Sequence, residues 1–406
     1  MKKVDIAIVV VTFNRPNSLE RLLKSLYYSD YTGYSDIILY ISIDFSDNSE
    51  CQKIAESFDW IHGDKIIISH NSNLGLKKHI LSCGDLVKKH DAIIVLEDDL
   101  LVSPQYFKFA VSAYDFYKND SRIAGISLYN YNYNENAYCG FEPIYDGFDN
   151  YFMQVPSSWG QMWTKDNWED FRNYTNEERF ENESSLFIPD KVLTWPINKS
   201  WKRSFYKFLI TKDKYFIFPR NSLTTNCGDM GANVSYDYDV FQSSLSIKNH
   251  KYYFSSFDNS YSIYDSYFEF HELAFMKFSH SYESVSFDLY GTKPIHKIKT
   301  KFLFSIKNCE NSIRKFDFKI LPYENNVILN VEKIKNDSIC IYYAETNQFK
   351  NSVGFERINI ELRRYFAHEN PYIKKGKDEV YRTLTFRIGN MILSPIRVLR
   401  KLFKKV

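Results

Sequence analysis

Five apolar residues, Ala92 to Leu96, run straight into three carboxylates, Glu97, Asp98 and Asp99. A short, β-branched apolar run of this kind reads as a strand buried on both faces. Such a strand has no room for charge, so the carboxylates must lie at its carboxyl end, where the chain emerges. In open α/β sheets that edge is where ligands bind. Three adjacent carboxylates repel one another unless a cation joins them. They are hard oxygen donors, suited to Mg²⁺ or Mn²⁺. A divalent ion held by one or two carboxylates keeps positions open for substrate phosphates. An isolated acidic triplet is more often a solvated loop, so the weight of this reading rests on the rest of the chain.

The preceding residues repeat the pattern. Ile6 to Phe13 reads as a buried first strand ending in Asn14-Arg15-Pro16, followed by a helix capped at Ser18. Asp36 to Ile43 is a second strand, ending at Asp44, with a helix over about 50–58. Lys65 to Ser69 is a third, ending toward Asn73-Leu74-Gly75, with a helix over about 77–90. Strand and helix alternating with short links is the pattern of a parallel, doubly wound sheet. Its carboxyl edge collects Thr12, Asn14, Arg15, Asp44, Asp47, Asn73, Asp98 and Asp99. Pro104 starts a further helix, Arg122 to Leu128 is a further strand, and 129–151 reads as a loop.

Five of the six tryptophans, Trp159, Trp163, Trp168, Trp195 and Trp201, fall within 43 positions. They form either a helical mini-core or a stacking platform for a flat polar ligand. Phe216 to Pro219 reads as a strand, and Asn221 to Gly231 as a turn-rich loop in which glycines flank Asp229. Beyond Val234 the periodicity fades. Phe316–Ile320, Val327–Val331 and Ile339–Tyr343 are three candidate strands. The expected domains are 1–235, 236–371 and 372–406. From Tyr372 onward ten basic residues stand against two acidic ones. Ile388, Ile392, Ile396, Leu399, Leu402 and Phe403 give that tail an apolar face, the pattern of a basic amphipathic helix lying on an anionic membrane surface.

A net charge of +2 gives no case for nucleic-acid binding. The six cysteines lack any C-x-x-C spacing, which argues against zinc and redox motifs. No apolar run is long enough to span a bilayer, and the N-terminus has no secretory pattern.

The strings Ile8-Val9-Val10-Val11-Thr12-Phe13-Asn14-Arg15-Pro16, Asp44 with Ser46-Asp47, Asn73-Leu74-Gly75 and Glu97-Asp98-Asp99 together resemble the nucleotide-sugar half of GT-A glycosyltransferases, the first two being similar to family 2 enzymes. The E-D-D form, followed by Val102, Pro104 and Phe107, resembles N-acetylglucosaminyltransferase I. The resemblance covers about residues 1–235. It implies a GT-A type, Rossmann-like α/β fold, with a mostly parallel sheet flanked by helices and a less regular C-terminal region. It implies that Thr12, Phe13, Asn14 and Arg15 line a nucleotide pocket and that Asp44 accepts from the base edge of a uracil or thymine. Lys77, or its neighbours Lys78 and His79, would lie near the donor. Glu97 would touch the donor sugar, Asp98 the ribose or sugar and the metal, and Asp99 would be the direct ligand of Mn²⁺ or Mg²⁺.

An inverting enzyme also needs a carboxylate base for the acceptor hydroxyl. The Asp-Asp-Trp that supplies it in N-acetylglucosaminyltransferase I is missing here. Asp229 comes first among the substitutes, then Asp170 and Asp166. Trp159, Trp163 and Trp201 are the expected acceptor-binding rings. The expected function is transfer of a hexosyl or N-acetylhexosaminyl group from a nucleotide-diphosphate sugar, a UDP-sugar favoured, to a glycan or lipid-linked acceptor. The expected setting is bacterial capsule or lipopolysaccharide synthesis, on the cytoplasmic, inner face of the plasma membrane. A nucleotidyltransferase would want a glycine-rich loop after strand one, which Asn14-Arg15-Pro16-Asn17 lacks. A catalytically inactive scaffold has no reason to keep the acidic triplet.

Overall fold

The computed structural model describes residues 2–3, 5–177, 186–229, 240–279, 282–333 and 339–351, with positions 357, 361, 379, 382 and 383. By its contacts the chain divides into Met1–Gly354 and Phe355–Val406. The basic tail from Tyr372 lies almost wholly outside the described residues.

The first unit opens with β1 (Ile6–Thr12), α1 (Pro16–Tyr27), β2 (Leu39–Ile43), α2 (Glu50–Ser57), β3 (Lys65–Ser69), α3 (Leu76–Gly84) and β4 (Ala92–Glu97). Each strand runs parallel to its neighbour, β1 lying between β2 and β4. Helix α1 starts two residues before the expected cap at Ser18, because Pro16 takes the first helical position, where its missing N–H costs nothing.

The chain continues through β5 (Leu100–Val102), α4 (Tyr106–Tyr117), β6 (Ile123–Ser127), β7 (Asn150–Met153), β8 (Gln161–Thr164), α5 (Lys165–Glu177), α6 (Trp201–Thr211), β9 (Tyr215–Pro219), β10 (Thr224–Asn226) and β11 (Ile263–Tyr264). The nine-stranded central sheet has the order β11-β7-β9-β6-β8-β4-β1-β2-β3. Six strands point one way. Strand β8 wedges antiparallel between β4 and β6, and β7 with β11 also run in reverse. The sheet is therefore mostly parallel, as expected. Strands β1, β2 and β4 are buried on both faces apart from the terminal Glu97, which explains their unbroken apolar runs.

Residues directly opposite on paired strands share a face. Ser42, Val11, Glu97 and the pair Val95–Gln161 thus point to one side. That side is covered by α3, whose His79 bonds Ser42, and by α5 and α6, whose rings meet Trp163. Helix α2 covers the other side, where Cys51 reaches Thr12.

The stretch 129–151, expected to be a loop, contains a short ribbon, Tyr133–Asn134 against Cys139–Gly140. A second, four-stranded sheet follows the central one, built from β12 (Val285–Asp288), β13 (Phe302–Ser305), β14 (Arg314–Phe316) and β15 (Ile341–Glu345). Two of the expected C-terminal strands overlap β14 and β15. The expected strand 327–331 is instead the end of a helix, Glu324–Ile328, and the turn after it. All six cysteines are free thiols.

Candidate functional site

The register puts the ends of β1, β2 and β4 side by side: Val11 opposes Glu97, and Thr12 opposes Ile43. Asp98 is the centre of the cluster. Its Oδ2 accepts from the Thr12 hydroxyl at 2.7 Å and from the Phe13 amide at 3.3 Å. Its Oδ1 lies 2.7 Å from Arg15 Nη2. Arg15 Nη1 donates to Asp99 Oδ2 at 3.0 Å, so one guanidinium bridges both aspartates. Asp98 is closed off, with a side chain 1% exposed, whereas Asp99 is 17% exposed. Burial pushes the Asp98 carboxyl up to about 6, against the pull of Arg15, Thr12 and the Phe13 amide. Burial, then Asp99 and Asp98, push Glu97 up to about 8.

The three carboxylates do not converge. Glu97 is still in the strand and faces the side of α3 and α6, while Asp98 turns toward Thr12. Among the described residues no group of three His, Cys, Asp or Glu side chains could hold a metal ion by itself. The donor set is two hard carboxylates, one of them partly open. That set fits an ion completed by phosphate oxygens and water rather than a closed protein cage.

Asp44 is 3% exposed, and three backbone amides already occupy it. Phe45 N and Leu74 N donate to Oδ1 at 2.9 and 2.8 Å, and Gly75 N donates to Oδ2 at 3.0 Å. It therefore ties the end of β2 to the start of α3, a task that no pattern in the sequence announced. Gly75 takes φ +74 there, a conformation glycine adopts without cost. Asn14, at φ 51, accepts from Asn48 at 3.1 Å. Phe13 and Phe45 stand exposed on either side of Asp44 in sequence order. Lys77 turns toward α6, donating to the Ile197 carbonyl at 2.8 Å and to Ser204 at 2.9 Å. His79 is buried against Ser42 at 2.8 Å, and burial holds it down to about 4.

Two of the three expected base candidates lie away from the site. Asp166 and Asp170 lie on α5, which begins at the opposite edge of the sheet. Strand β8 runs antiparallel to β4 and carries the chain from Val95 back to Ala92, and Lys165 N then bonds the Asp91 carbonyl. Asp170 faces Lys214 at 2.8 Å and is 55% exposed. Asp229 is on the correct edge, near Asp99, whose carbonyl accepts from Cys227 N at 2.9 Å. Its carboxylate, however, takes both Arg21 nitrogens and the Ser18 hydroxyl, the latter at 2.7 Å. Those bonds hold it below the usual carboxylate range. A carboxylate so satisfied is a weak proton acceptor.

Two of the three expected acceptor rings are core. Trp163 and Trp201 are 0% and 2% exposed and pack with Trp168 and Phe205 between β8, α5 and α6. Trp159 alone stays half-buried at the ligand edge, against Tyr129, Tyr131 and Phe241. Lys202 and Glu135, which no motif flagged, meet beside it.

A mostly parallel sheet flanked by helices, with paired aspartates at the carboxyl end of a central strand, is an α/β fold of the GT-A type. Residues 7–178 match the family model described as glycosyl transferase family 2. Among solved structures it is similar to S. aureus TarS 1-349 in complex with UDP-GlcNAc, at 13% identity and a TM-score of 0.36, covering 58% of this chain and 62% of that one. It is also similar to the mannosyltransferase PcManGT from Pyrobaculum calidifontis in complex with GDP-Man and Mn²⁺, at 11% identity and a TM-score of 0.30, covering 47% and 51%. The chain thus spans less than two thirds of either structure. No curated protein matches the chain.

Proposed function

We propose that the chain is a metal-dependent, inverting glycosyltransferase that moves a sugar from a nucleotide-diphosphate sugar to a carbohydrate or lipid-linked acceptor. One observation carries this reading: Thr12, Arg15, Asp98 and Asp99 interlock at the adjoining ends of β1 and β4. Asp99, with Asp98 behind it, would hold Mn²⁺ or Mg²⁺. A bound divalent ion would neutralise charge on the departing diphosphate. Thr12 fixes the Asp98 carboxylate, and Arg15 offers a cation to the same phosphates. Phe13 and Phe45 present exposed rings to the base, while Asp44 sets the loop 73–75 that borders it. Glu97 faces the donor sugar from the α3 side.

The nucleotide is read as UDP, and the product as a bacterial surface glycan such as capsule or lipopolysaccharide. The basic tail would hold the enzyme on an anionic, cytoplasmic membrane face. No helix among the described residues is long and apolar enough to cross a membrane. Calorimetry tests the core of the reading. UDP should bind far more tightly with Mn²⁺ than with EDTA, and a thermal-shift screen of UDP-, GDP-, CMP- and dTDP-sugars should single out one donor. Equal binding with and without the ion would defeat metal dependence.

A further inference from the structure

With Asp166 and Asp170 on the far edge and Asp229 held by Arg21, one carboxylate stands free of those constraints beside Trp159. Glu135 lies in the turn of the 133–140 ribbon, its side chain 12% exposed, and its Oε1 is 3.2 Å from Lys202 Nζ. Lys202 is the second residue of α6. Its ammonium also donates to the Tyr131 hydroxyl at 3.2 Å. It lies 5.2 Å from the ring centre of Trp159, 5.4 Å from that of Trp195 and 5.9 Å from that of Tyr131. The fully buried Tyr206 hydroxyl beside this group has no hydrogen-bond partner among the described residues.

The cluster adjoins the acidic strand end. The Trp159 carbonyl accepts from the Thr224 hydroxyl at 2.5 Å. Thr224 pairs with Val102 across β10 and β5, and β5 begins directly after Asp99. Gly160 is so close to Leu96 that a Cβ there would sit 3.3 Å from Leu96 Cδ2.

We propose that Glu135 is the base that takes the acceptor proton, at an acceptor site bordered by the partly exposed rings of Trp159 and Trp195, with Lys202 beside it. The proposal rests on the glycosyltransferase reading above. Flat rings with a few polar groups suit the C–H face of a sugar, so the acceptor is a carbohydrate hydroxyl. As the acceptor oxygen bonds to the anomeric carbon, its proton passes to the Glu135 carboxylate. The bond from that carbon to the diphosphate oxygen breaks, and its electron pair leaves with the diphosphate. Glu135 then returns the proton to solvent. Lys202 is a positioning residue. A lone carboxylate among rings would be costly to keep charged, and the ammonium beside it offsets that cost.

The test uses the full chain and the donor chosen by thermal shift, following nucleoside-diphosphate release with methyl glycosides as acceptors. Glu135→Gln should lower kcat about a hundredfold or more, the scale of a lost general base, with the donor KM and Mn²⁺-dependent UDP affinity unchanged. Glu135→Asp should recover part of the rate. The double variant E135Q/K202M separates chemistry from structure. If Glu135 only neutralises Lys202, removing both restores turnover, and the proposal falls. It falls also if Glu135→Gln stays within about threefold of the parent chain on the same kinetic scale. A parent chain that binds UDP no better with Mn²⁺ would instead remove the donor reading underneath.

Discussion

The two aspartates differ by what holds them, and their substitutions should separate accordingly. Asp98 is buried and tied to Thr12, Phe13 and Arg15, so it joins β1 to β4. Asp98→Ala should lose on the order of 1–3 kcal/mol of stability by stranding those donors, as well as nucleotide binding. Asp99 is more open, and its carboxylate bonds Arg15. Asp99→Ala should leave the melting temperature within a few degrees and abolish Mn²⁺-dependent UDP binding. Turnover by Asp99→Ala would place the metal elsewhere. His79 makes a pH prediction. Burial depresses it from 6.5 to about 4, with Asp44 opposing and His70 adding to the shift. The folded state prefers the neutral ring, so its stability is full above pH 6.5 and falls as pH drops toward 4, by on the order of 3 kcal/mol. Chemical denaturation across that window should show the slope, and His79→Gln should flatten it. The pair Asp98–Asp99 could be read from sequence because a buried strand must shed charge where it ends. Glu135, Lys202 and the Arg21 grip on Asp229 could not, because ion pairs spanning 67 or 208 positions leave no local pattern.

Elements were readable where one period repeats and hidden where a few residues reverse direction. The strands and helices from Ile6 to Glu97 follow from apolar runs alternating with amphipathic ones. Strand β8 is four residues long and starts after Gly160 at φ +89, with nothing in its composition to say that it runs antiparallel. That reversal carries Asp166 and Asp170 to the far edge of the sheet and buries Trp163 beneath α5 and α6. The outcome can be tested as a contrast between two tryptophans. Trp163 is 0% exposed and sits 4.4 Å from Trp168 and 5.7 Å from Trp201, centre to centre. Trp163→Ala should cost about 3–5 kcal/mol in urea unfolding, the scale for an emptied aromatic core site. Trp159→Ala should cost clearly less and raise the acceptor KM more than the donor KM. Equal stability losses would return Trp159 to the core.

At the scale of the whole chain, the weak periodicity beyond Val234 suggested an accessory region, and the rings in its described part lie close against one another. Phe270 and Phe275 lie 5.4 and 5.0 Å from Phe287, and Phe275 lies 5.5 Å from Phe304, so the rings before β12 are covered by the second sheet. Polar links cross the same join: Tyr290 N bonds the buried Glu269 carboxyl, and Lys293 pairs with Asp265. Within the second sheet Asp288 pairs with Lys307 at 3.1 Å. Two truncations should therefore behave in opposite ways. A chain ending at Ser279 uncovers Phe270 and Phe275 and strands Glu269 and Asp265, so it should aggregate on expression. A chain ending at Gly354 keeps every one of those contacts. It should retain the parent melting temperature and Mn²⁺-dependent UDP affinity but lose binding to anionic vesicles, since the ten basic residues after Tyr372 are gone. If the chain ending at Ser279 were soluble and bound UDP, the second sheet would be a separable domain. Vesicle binding that survives loss of the tail would move the membrane contact onto the first unit.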